Sequence, residues 1–110
     1  MSYIPLIDEE FDELVLGSEL TVIVYVTLDH CRISARARAE FTAIEGRFRD
    51  HVTVYDVDAD VEKALVFRLN IKAVPTLLVF SSGNEVAALL GFYHRDELQK
   101  RLGSIIRDSG

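Results

Sequence analysis

The sequence contains a single cysteine, and this scarcity limits its chemistry. One cysteine cannot form a disulfide within the chain, and it cannot supply the several thiolates of a cysteine-rich metal site. A lone thiol fits a reducing compartment, where stable disulfides are rare. We therefore expect a cytoplasmic protein whose fold depends on its apolar core rather than on covalent cross-links.

Long apolar segments and a basic N-terminal region are also missing. The chain opens with Met1-Ser2-Tyr3-Ile4-Pro5, which has neither the charge nor the apolar run of a signal peptide. No apolar stretch approaches the ~20 residues that cross a bilayer, so we expect no membrane partner. A chain of 110 residues predicts one domain, residues 1–110. Its hydrophobic fraction of 49% is sufficient for an ordinary apolar core.

Positive charge is absent from the first 31 residues, which carry seven acidic residues and no Lys or Arg. The remainder has twelve bases against eleven acids, so the net charge of −6 originates in the N-terminal part. An acidic chain is a poor ligand for the phosphate backbone. The three neighbouring arginines, Arg32, Arg36 and Arg38, are too few to reverse this balance, and we expect no nucleic-acid partner.

The first half of the chain shows a strand pattern, a helix pattern and a second strand. Residues 3–7 predict a short strand that Pro5 confines to a sheet edge. Residues 8–16 predict a helix with acids in its first turn, and Gly17 ends it. Residues 21–26 are almost all β-branched or aromatic without alternating polarity, which is typical of a central strand covered on both faces.

The second half continues the alternation. A face of Ile33, Ala37, Phe41, Ile44 and Phe48 at helical spacing predicts a helix from about Arg32 to about Arg49. The remaining predicted elements are a strand at 52–57, a helix at 61–69 with Asp60 as N-cap and Asn70 left-handed, strands at 77–80 and 85–90 joined by Ser81-Ser82-Gly83-Asn84, and a helix at 94–107. This order predicts an α/β fold.

Two patterns that resemble metal sites are incomplete. Asp56-Val57-Asp58-Ala59-Asp60 begins like a calcium loop, but Val61 stands where its glycine belongs and Phe67 where its glutamate belongs. The histidines lack the spacing of metal ligands to one another; they are His30, His51 and His94. We therefore expect no metal and no resident cofactor.

Three features together resemble the thioredoxin family over essentially the whole chain. A buried strand runs into Cys31-Arg32-Ile33-Ser34 at the head of a long helix, Val74-Pro75-Thr76 occupies the position of the family's cis-proline, and Gly91 ends the fifth strand. The resemblance implies the thioredoxin fold, in which four helices flank a central mixed sheet of four or five strands. It also implies a peptide-binding groove formed by the substrate-contacting residues His30, Arg32, Ile33, Val74, Pro75, Thr76, Gly91 and Phe92.

The departures from the family pattern concentrate at the active site. Thioredoxins carry Trp-Cys-Gly-Pro-Cys, whereas this chain has His30-Cys31-Arg32-Ile33-Ser34, so the resolving cysteine is a serine. Tyr25 replaces the buried acid, Asp56 its neighbouring lysine, and Ala39 the proline of the long helix. These losses belong together, because an acid that serves a missing thiol is only a burial cost. An engineered Cys→Ser exchange at position 34 would be expected to leave the other positions intact.

A thiol at a helix N-terminus is favoured as a thiolate by the helix dipole and the free amides. Arg32, Arg36 and His30 are expected to add positive charge, and the Ser34 hydroxyl to donate a hydrogen bond to the sulfur. Cys31 and Ser34 are thus the candidate catalytic residues of a monothiol exchange with glutathione or a protein disulfide. The release step then needs an external thiol, for which glutathione is the candidate co-substrate.

A second hypothesis, in which the groove binds a partner without redox chemistry, remains open. Ile33, Val74 and Phe92 would then form an apolar docking patch beside Pro75. In either case the expected partner is a protein or peptide, and the protein a monomer or weak dimer. An iron–sulfur cluster bridged between two chains is disfavoured, because Cys31-Arg32-Ile33-Ser34 matches the Cys-Gly-Phe-Ser motif of such relatives only at its ends.

Overall fold

The computed structural model describes residues 3–48 and 50–109. Five strands form one mixed sheet in the order β1-β3-β2-β4-β5. The pairs β1–β3 and β2–β3 are parallel, and the pairs β2–β4 and β4–β5 are antiparallel. The strands are β1 (Ile4–Pro5), β2 (Thr21–Thr27), β3 (Val52–Asp58), β4 (Thr76–Ser81) and β5 (Asn84–Leu90). The predicted α/β fold with a mixed sheet of four or five strands is confirmed, and the number of strands is five.

Strand β2 lies at the centre because both of its faces are apolar. Val22, Val24 and Val26 point to one face of the sheet, and Ile23 and Tyr25 point to the other. All five side chains are buried. Since successive side chains of a strand alternate between faces, such a run is stable only between two covering layers, as the sequence predicted.

Helical segments cover both faces of the sheet. On one face, the N-terminal helical segment and α2 contribute Phe11, Val15 and Leu65 to the core; on the other, α1 and α3 contribute Phe41 and Leu102. None of the helices within residues 3–48 and 50–109 is both long and apolar enough to cross a membrane. The helices are α1 (Arg32–Glu45), α2 (Lys63–Arg68) and α3 (Arg95–Ser109).

The long helix α1 ends at Glu45, earlier than the predicted end near Arg49, which lies outside the described residues. Gly46 follows the last helical residue, and glycine is among the poorest helix formers. The amides of Arg47 and Phe48 then donate to carbonyls three residues back, at 3.0 Å each. These short-range bonds tighten the chain into a turn that satisfies the free carbonyls of the helix end.

Two other predicted helices differ in detail. The N-terminal segment is a 3-10 helix at Asp8–Glu10 followed by a π-helix at Asp12–Leu16, rather than one α-helix. Helix α2 begins at Lys63, and Asp60 is not its N-cap. Instead, the Asp58 carboxylate accepts from the Asp60 amide at 3.0 Å, and the Asp58 carbonyl accepts from the Glu62 amide at 2.8 Å. An acid closing its own turn competes with the helix for these amides.

The hairpin between β4 and β5 confirms the turn signal in the sequence. Ser82 and Gly83 have φ values of 50° and 83°, the left-handed pair that matches the twist of a two-residue hairpin. A Cβ atom on Gly83 would lie 2.4 Å from the Leu16 carbonyl oxygen. Glycine is therefore required here both by backbone conformation and by the close approach of the N-terminal segment. Asn70 is left-handed as predicted, with a φ of 57°.

Candidate functional site

The single cysteine lies at the corner where β2 passes into α1. Strand β2 ends at Thr27, and Cys31 occupies the N-cap position of α1 with extended backbone angles. Between them His30 adopts a left-handed conformation with a φ of 59°. This reversal turns the chain from the sheet into the helix axis, so that the partly exposed Cys31 side chain sits over the first turn of α1.

The environment of Cys31 favours its ionised form. The Cys31 sulfur makes no side-chain capping bond of normal geometry. Nevertheless, the amide and the hydroxyl of Ser34 and the amide of Ile33 lie close enough to hold the pKa of the thiol below its ordinary value, against the opposing effect of partial burial. The positive charge expected from Arg32, Arg36 and His30 stays a prediction. All three side chains are exposed, so water and salt screen their charge, and the Arg36 guanidinium lies over the Phe92 ring.

Ser34 is held under the cysteine by the strand end. Its side chain is only 2% exposed, and its Oγ accepts a hydrogen bond from the Leu28 amide at 3.2 Å. Since the oxygen is the acceptor in that bond, the hydroxyl proton remains available to the Cys31 sulfur. The serine therefore joins the end of β2 to the thiol, which agrees with the hydrogen-bond role expected from the sequence.

The segment before β4 lies on one side of this corner. The Val74–Pro75 peptide bond is cis, and Pro75 is buried. The Pro75 carbonyl accepts from the Gly91 amide at 2.7 Å, and Thr76 Oγ1 donates to the Ala73 carbonyl at 2.6 Å. Gly91 itself has a φ of 85°. Backbone and short side-chain bonds thus join the predicted groove residues Val74, Pro75, Thr76 and Gly91 into one unit.

Phe92 is partly buried against the core that α1 and α3 share. The Arg36 guanidinium lies over its ring, 5.0 Å from the centroid, and the His94 ring meets it edge-on at 4.9 Å. A cation over an aromatic face is an attractive contact. Ile33 is 39% exposed on the first turn of α1. The structure thus leaves Ile33 accessible, while Phe92 is covered in part by a cation rather than fully open as an apolar patch.

An open cleft of about 1080 Å³ lies on the other side of Cys31. It contains four of the predicted site residues, namely His30, Cys31, Arg32 and Ser34. Ile33, Val74, Pro75, Thr76, Gly91 and Phe92 do not line it. The candidate site residues therefore do not share one depression. Cys31 stands between the Pro75 segment and this cleft.

Arg38 is a site residue that the sequence interpretation did not assign. Its Nη2 atom donates to Thr27 Oγ1 and to Asp56 Oδ1, at 2.7 Å each, inside the cleft. The guanidinium also lies 4.9 Å from the centroid of the Tyr3 ring. The available signal was helical spacing, since Arg38 follows Cys31 by two turns of α1, together with the acid Asp56 at a position where the resemblance implies a lysine.

Tyr25, which the resemblance assigns to the position of the family's buried acid, is an aromatic residue in the core. It is 3% exposed and packs edge-on against Phe41, with ring centroids 5.3 Å apart. Burial raises the pKa of its phenol far above the ordinary value, so the side chain is neutral. The neighbouring Tyr3, whose hydroxyl lies 3.0 Å from Thr42 Oγ1, has its pKa raised to about 12, chiefly by burial. Neither phenol supplies a proton acceptor near neutral pH.

The metal-site patterns of the sequence do not converge in space. Among the residues that the structure describes, no three His, Cys, Asp or Glu side chains are placed to hold one metal ion. Asp56 is paired with Arg38, and Asp58 accepts from the Asp60 amide. These carboxylates are therefore engaged in the ion pair and the turn that they close.

The architecture defines a class: an α/β domain that presents a thiol at a helix N-terminus beside a cis-proline peptide. A family model described as Thioredoxin matches residues 2–104. The chain belongs to the thioredoxin family, as the resemblance of its motifs predicted.

Individual relatives agree with this assignment. The chain is similar to the thioredoxin of Alicyclobacillus acidocaldarius subsp. acidocaldarius, with 24% identity over 93% of this chain and 96% of that protein. It is 26% identical to the thioredoxin of Griffithsia pacifica, over 94% and 99%. Among solved structures, a thioredoxin of Malassezia sympodialis superposes with a TM-score of 0.84 at 21% identity, covering 96% of this chain and 91% of that one. At 21% identity, the similarity to this solved structure shows the fold alone.

Proposed function

We propose that the protein carries out monothiol thiol–disulfide exchange through Cys31. The observation that supports this most is the first turn of α1, where the amide and hydroxyl of Ser34 lower the pKa of a partly exposed thiol. The thiolate is the form that attacks disulfides. A structural cysteine in the core would be buried and protonated instead, whereas Cys31 is partly exposed and the pKa of its thiol is lowered.

In the first step, the Cys31 thiolate attacks one sulfur of a substrate disulfide. A new bond forms between the two sulfurs, the substrate disulfide breaks, and its other sulfur leaves as a thiolate. Ser34 has no thiol to attack the resulting mixed disulfide, so the dithiol cycle cannot close within the chain. An external thiol, such as glutathione, then releases the product, and a second external thiol restores the Cys31 thiolate and leaves as an oxidised disulfide.

The segment around Pro75 is the proposed docking site for the substrate. The Val74 backbone precedes β4 at the end of the sheet, where an extended peptide can lie alongside it. Gly91 and Phe92 form the next turn beside it, and Ile33 is the exposed apolar residue that the first turn of α1 offers to the same substrate. Because release needs abundant external thiol, we propose that the protein acts in a reducing compartment, the cytoplasm. We also propose that it is a monomer or a weak dimer.

The proposal is tested by turnover of a peptide–glutathione mixed disulfide with glutathione as reductant. Wild type is expected to turn over, and Cys31→Ser to lose activity entirely while it retains its circular dichroism spectrum. Ser34→Ala is expected to be slower near neutral pH, because its thiol is less ionised. If wild type accelerates release no more than Cys31→Ser does, the exchange hypothesis is wrong.

A redox-inactive binding module is the second candidate, and the Arg36–Phe92 stack favours it. A cation held over an aromatic ring beside Pro75 offers an apolar face and a charge to a peptide without any sulfur chemistry. Pull-downs with wild type and Cys31→Ser separate the two functions. Partners retained by Cys31→Ser and lost by Phe92→Ala support noncovalent binding, whereas partners lost with the thiol alone support exchange.

A further inference from the structure

The two sides of Cys31 belong to different strands of the sheet. At the end of β2, Val26 pairs with Thr76 of β4, and Thr27 pairs with Asp58 of β3. The proposed substrate segment at Pro75 precedes β4. The cleft, by contrast, contains Asp56 and Asp58 of β3 and no residue of β4. A substrate held against Pro75 therefore leaves the cleft open on the opposite side of the sulfur.

The walls of the cleft carry both signs of charge, and part of its surface is formed by small residues. Along α1 the cleft is lined by alanines one turn apart, Ala35, Ala39 and Ala43, of which Ala39 replaces the family's proline. The ionisable lining residues are Asp29, His30, Arg32, Arg38, Asp56 and Asp58. A volume of about 1080 Å³ exceeds the roughly 300–1000 Å³ of ordinary small-molecule sites, so a tripeptide-sized ligand has room.

We infer that this cleft binds the external thiol that releases the substrate from Cys31, and that this thiol is a zwitterionic peptide thiol of the glutathione type. The inference rests on the proposed function of Cys31 and adds to it the place and chemical class of the second substrate. Cations in the cleft match the carboxylates of such a thiol, and Asp58, which uses one carboxylate oxygen for the Asp60 amide, has its other oxygen for the ammonium group.

The geometry of exchange requires this second entrance. In the mixed disulfide, Cys31 Sγ is bonded to the substrate sulfur on the Pro75 side. A thiolate that attacks Cys31 Sγ must approach in line with that bond, from the opposite side. A new disulfide then joins Cys31 to the incoming thiol, and the substrate sulfur leaves as a thiolate. Attack by a second molecule of the same thiol on the sulfur of the first gives the oxidised dimer and regenerates the Cys31 thiolate.

Neither Ser34 nor Arg38 can act in place of the external thiol that attacks Cys31. Ser34 lies under the sulfur but has only a hydroxyl, which accepts from the Leu28 amide. One nitrogen of Arg38 is engaged by Thr27 and Asp56, which fixes the guanidinium inside the cleft. Because a guanidinium has five N–H donors, Arg38 retains donors for a carboxylate after making these two bonds.

The test measures release of a cysteine peptide from its preformed mixed disulfide with Cys31. Glutathione and the small uncharged thiol 2-mercaptoethanol are compared as the releasing thiols. Ala39→Leu narrows the cleft, and it is expected to slow release by glutathione about tenfold, the scale of misfit in a shaped pocket, with little effect on 2-mercaptoethanol. Ala64→Leu, at an exposed position of α2 outside the cleft, makes the same exchange in another helix and is the matched control.

Asp58→Asn tests whether the carboxylate of Asp58 attracts the ammonium group of glutathione. The asparagine oxygen can still accept from the Asp60 amide, so the turn is kept. Release by glutathione is expected to slow about threefold, in the range of a partly exposed ion pair, and release by 2-mercaptoethanol to stay unchanged. Thermal unfolding of each variant shows that it is folded.

The outcomes separate the two proposals. Unchanged glutathione rates in Ala39→Leu, or equal losses for both thiols, overturn the zwitterion site while leaving monothiol exchange in place. If neither thiol releases the peptide from wild type faster than from a small-molecule disulfide of the same peptide, the proposed function fails as well. Selective loss with glutathione alone supports the inference.

Discussion

The two sides of the cysteine corner are held together by different kinds of interaction. On the β4 side, Pro75 and Thr76 are buried, and the Gly91 amide donates to the Pro75 carbonyl, which joins this segment to the end of β5. On the β3 side, an open cleft is organised by charged side chains, chiefly the Arg38–Asp56 pair. The first side keeps the family pattern, and the second departs from it.

The difference indicates which features of the site follow from the fold. A turn fixed by backbone bonds and burial depends little on individual side chains. A site built from side-chain charges can be rebuilt by a few substitutions. In our proposal Tyr25, Asp56 and Ser34 stand in place of the three groups of the dithiol cycle, and two of them, Asp56 and Ser34, line the cleft.

Restoring the family's acid under the corner is expected to have the largest effect. Tyr25→Asp removes a ring packed on Phe41 and buries a carboxyl group in its place, so we expect the free energy of unfolding to fall by roughly 4–6 kcal/mol. The loss should shrink as the pH falls, because a buried carboxyl is cheaper when protonated. Urea unfolding at several pH values measures both effects.

The matched control is Tyr25→Phe, which keeps the ring and is expected to change stability by less than about 1.5 kcal/mol. If Tyr25→Asp is as stable as Tyr25→Phe at neutral pH, an acid at this position carries no burial cost. The proposed link between the lost resolving thiol and the lost acid would then be wrong.

On the β4 side, Thr76→Val tests the short side-chain bond before the strand. The Ala73 carbonyl would lose the Thr76 hydroxyl 2.6 Å away, and we expect a loss of about 1–2 kcal/mol in the free energy of unfolding. Thr76→Ser keeps the donor and should recover most of it. Equal losses in the two variants would show that the methyl group, rather than the hydrogen bond, fixes this segment.

On the β3 side, Arg38→Met is expected to cost less, about 1 kcal/mol, because the Arg38 and Asp56 side chains are 33% and 28% exposed and water screens the pair. Arg47→Met, an exposed arginine after α1, should stay within about 0.5 kcal/mol of wild type. If Arg38→Met lowered the free energy of unfolding more than Thr76→Val does, the charged β3 side would contribute more to stability than the β4 side, and the comparison would be reversed.

Ionisation of Cys31 links the corner to stability in a defined direction. Its pKa is lowered in the folded state, so the thiolate stabilises the fold above the pKa of the unfolded chain, and this stabilisation is lost as the pH falls through the folded-state value. Cys31→Ala should remove this part of the pH dependence. A stability difference between wild type and Cys31→Ala that does not change with pH would contradict the assigned direction.

The sequence predicted the scaffold well because its signals are local and strong. The β-branched run of β2, the helical face of Phe41 and Ile44, and the Ser82-Gly83 turn each specify one structure. One error concerned helix type, because the N-terminal segment is a 3-10 helix followed by a π-helix. The other errors occurred at the ends of elements, where single hydrogen bonds decide. Gly46 ends α1 early, and Asp58 rather than Asp60 takes the amides before α2.

The candidate site was less predictable, because its pairs are distant in sequence. Helical position was sufficient to predict a thiolate-favouring place for Cys31 and a hydrogen bond from Ser34. The contact of Arg38 with Asp56 joins α1 to β3. Only the parallel register of β2 and β3 brings these two residues together.

The most direct measurement of the central claim is the pH dependence of Cys31 alkylation in wild type and Ser34→Ala. Alkylation follows the thiolate, so its rate is full above the pKa and lost as the pH falls through it. We predict a wild-type midpoint below that of a free cysteine peptide, and a midpoint shifted upward in Ser34→Ala. Midpoints of both proteins at the free-peptide value would show that the first turn of α1 does not activate the thiol.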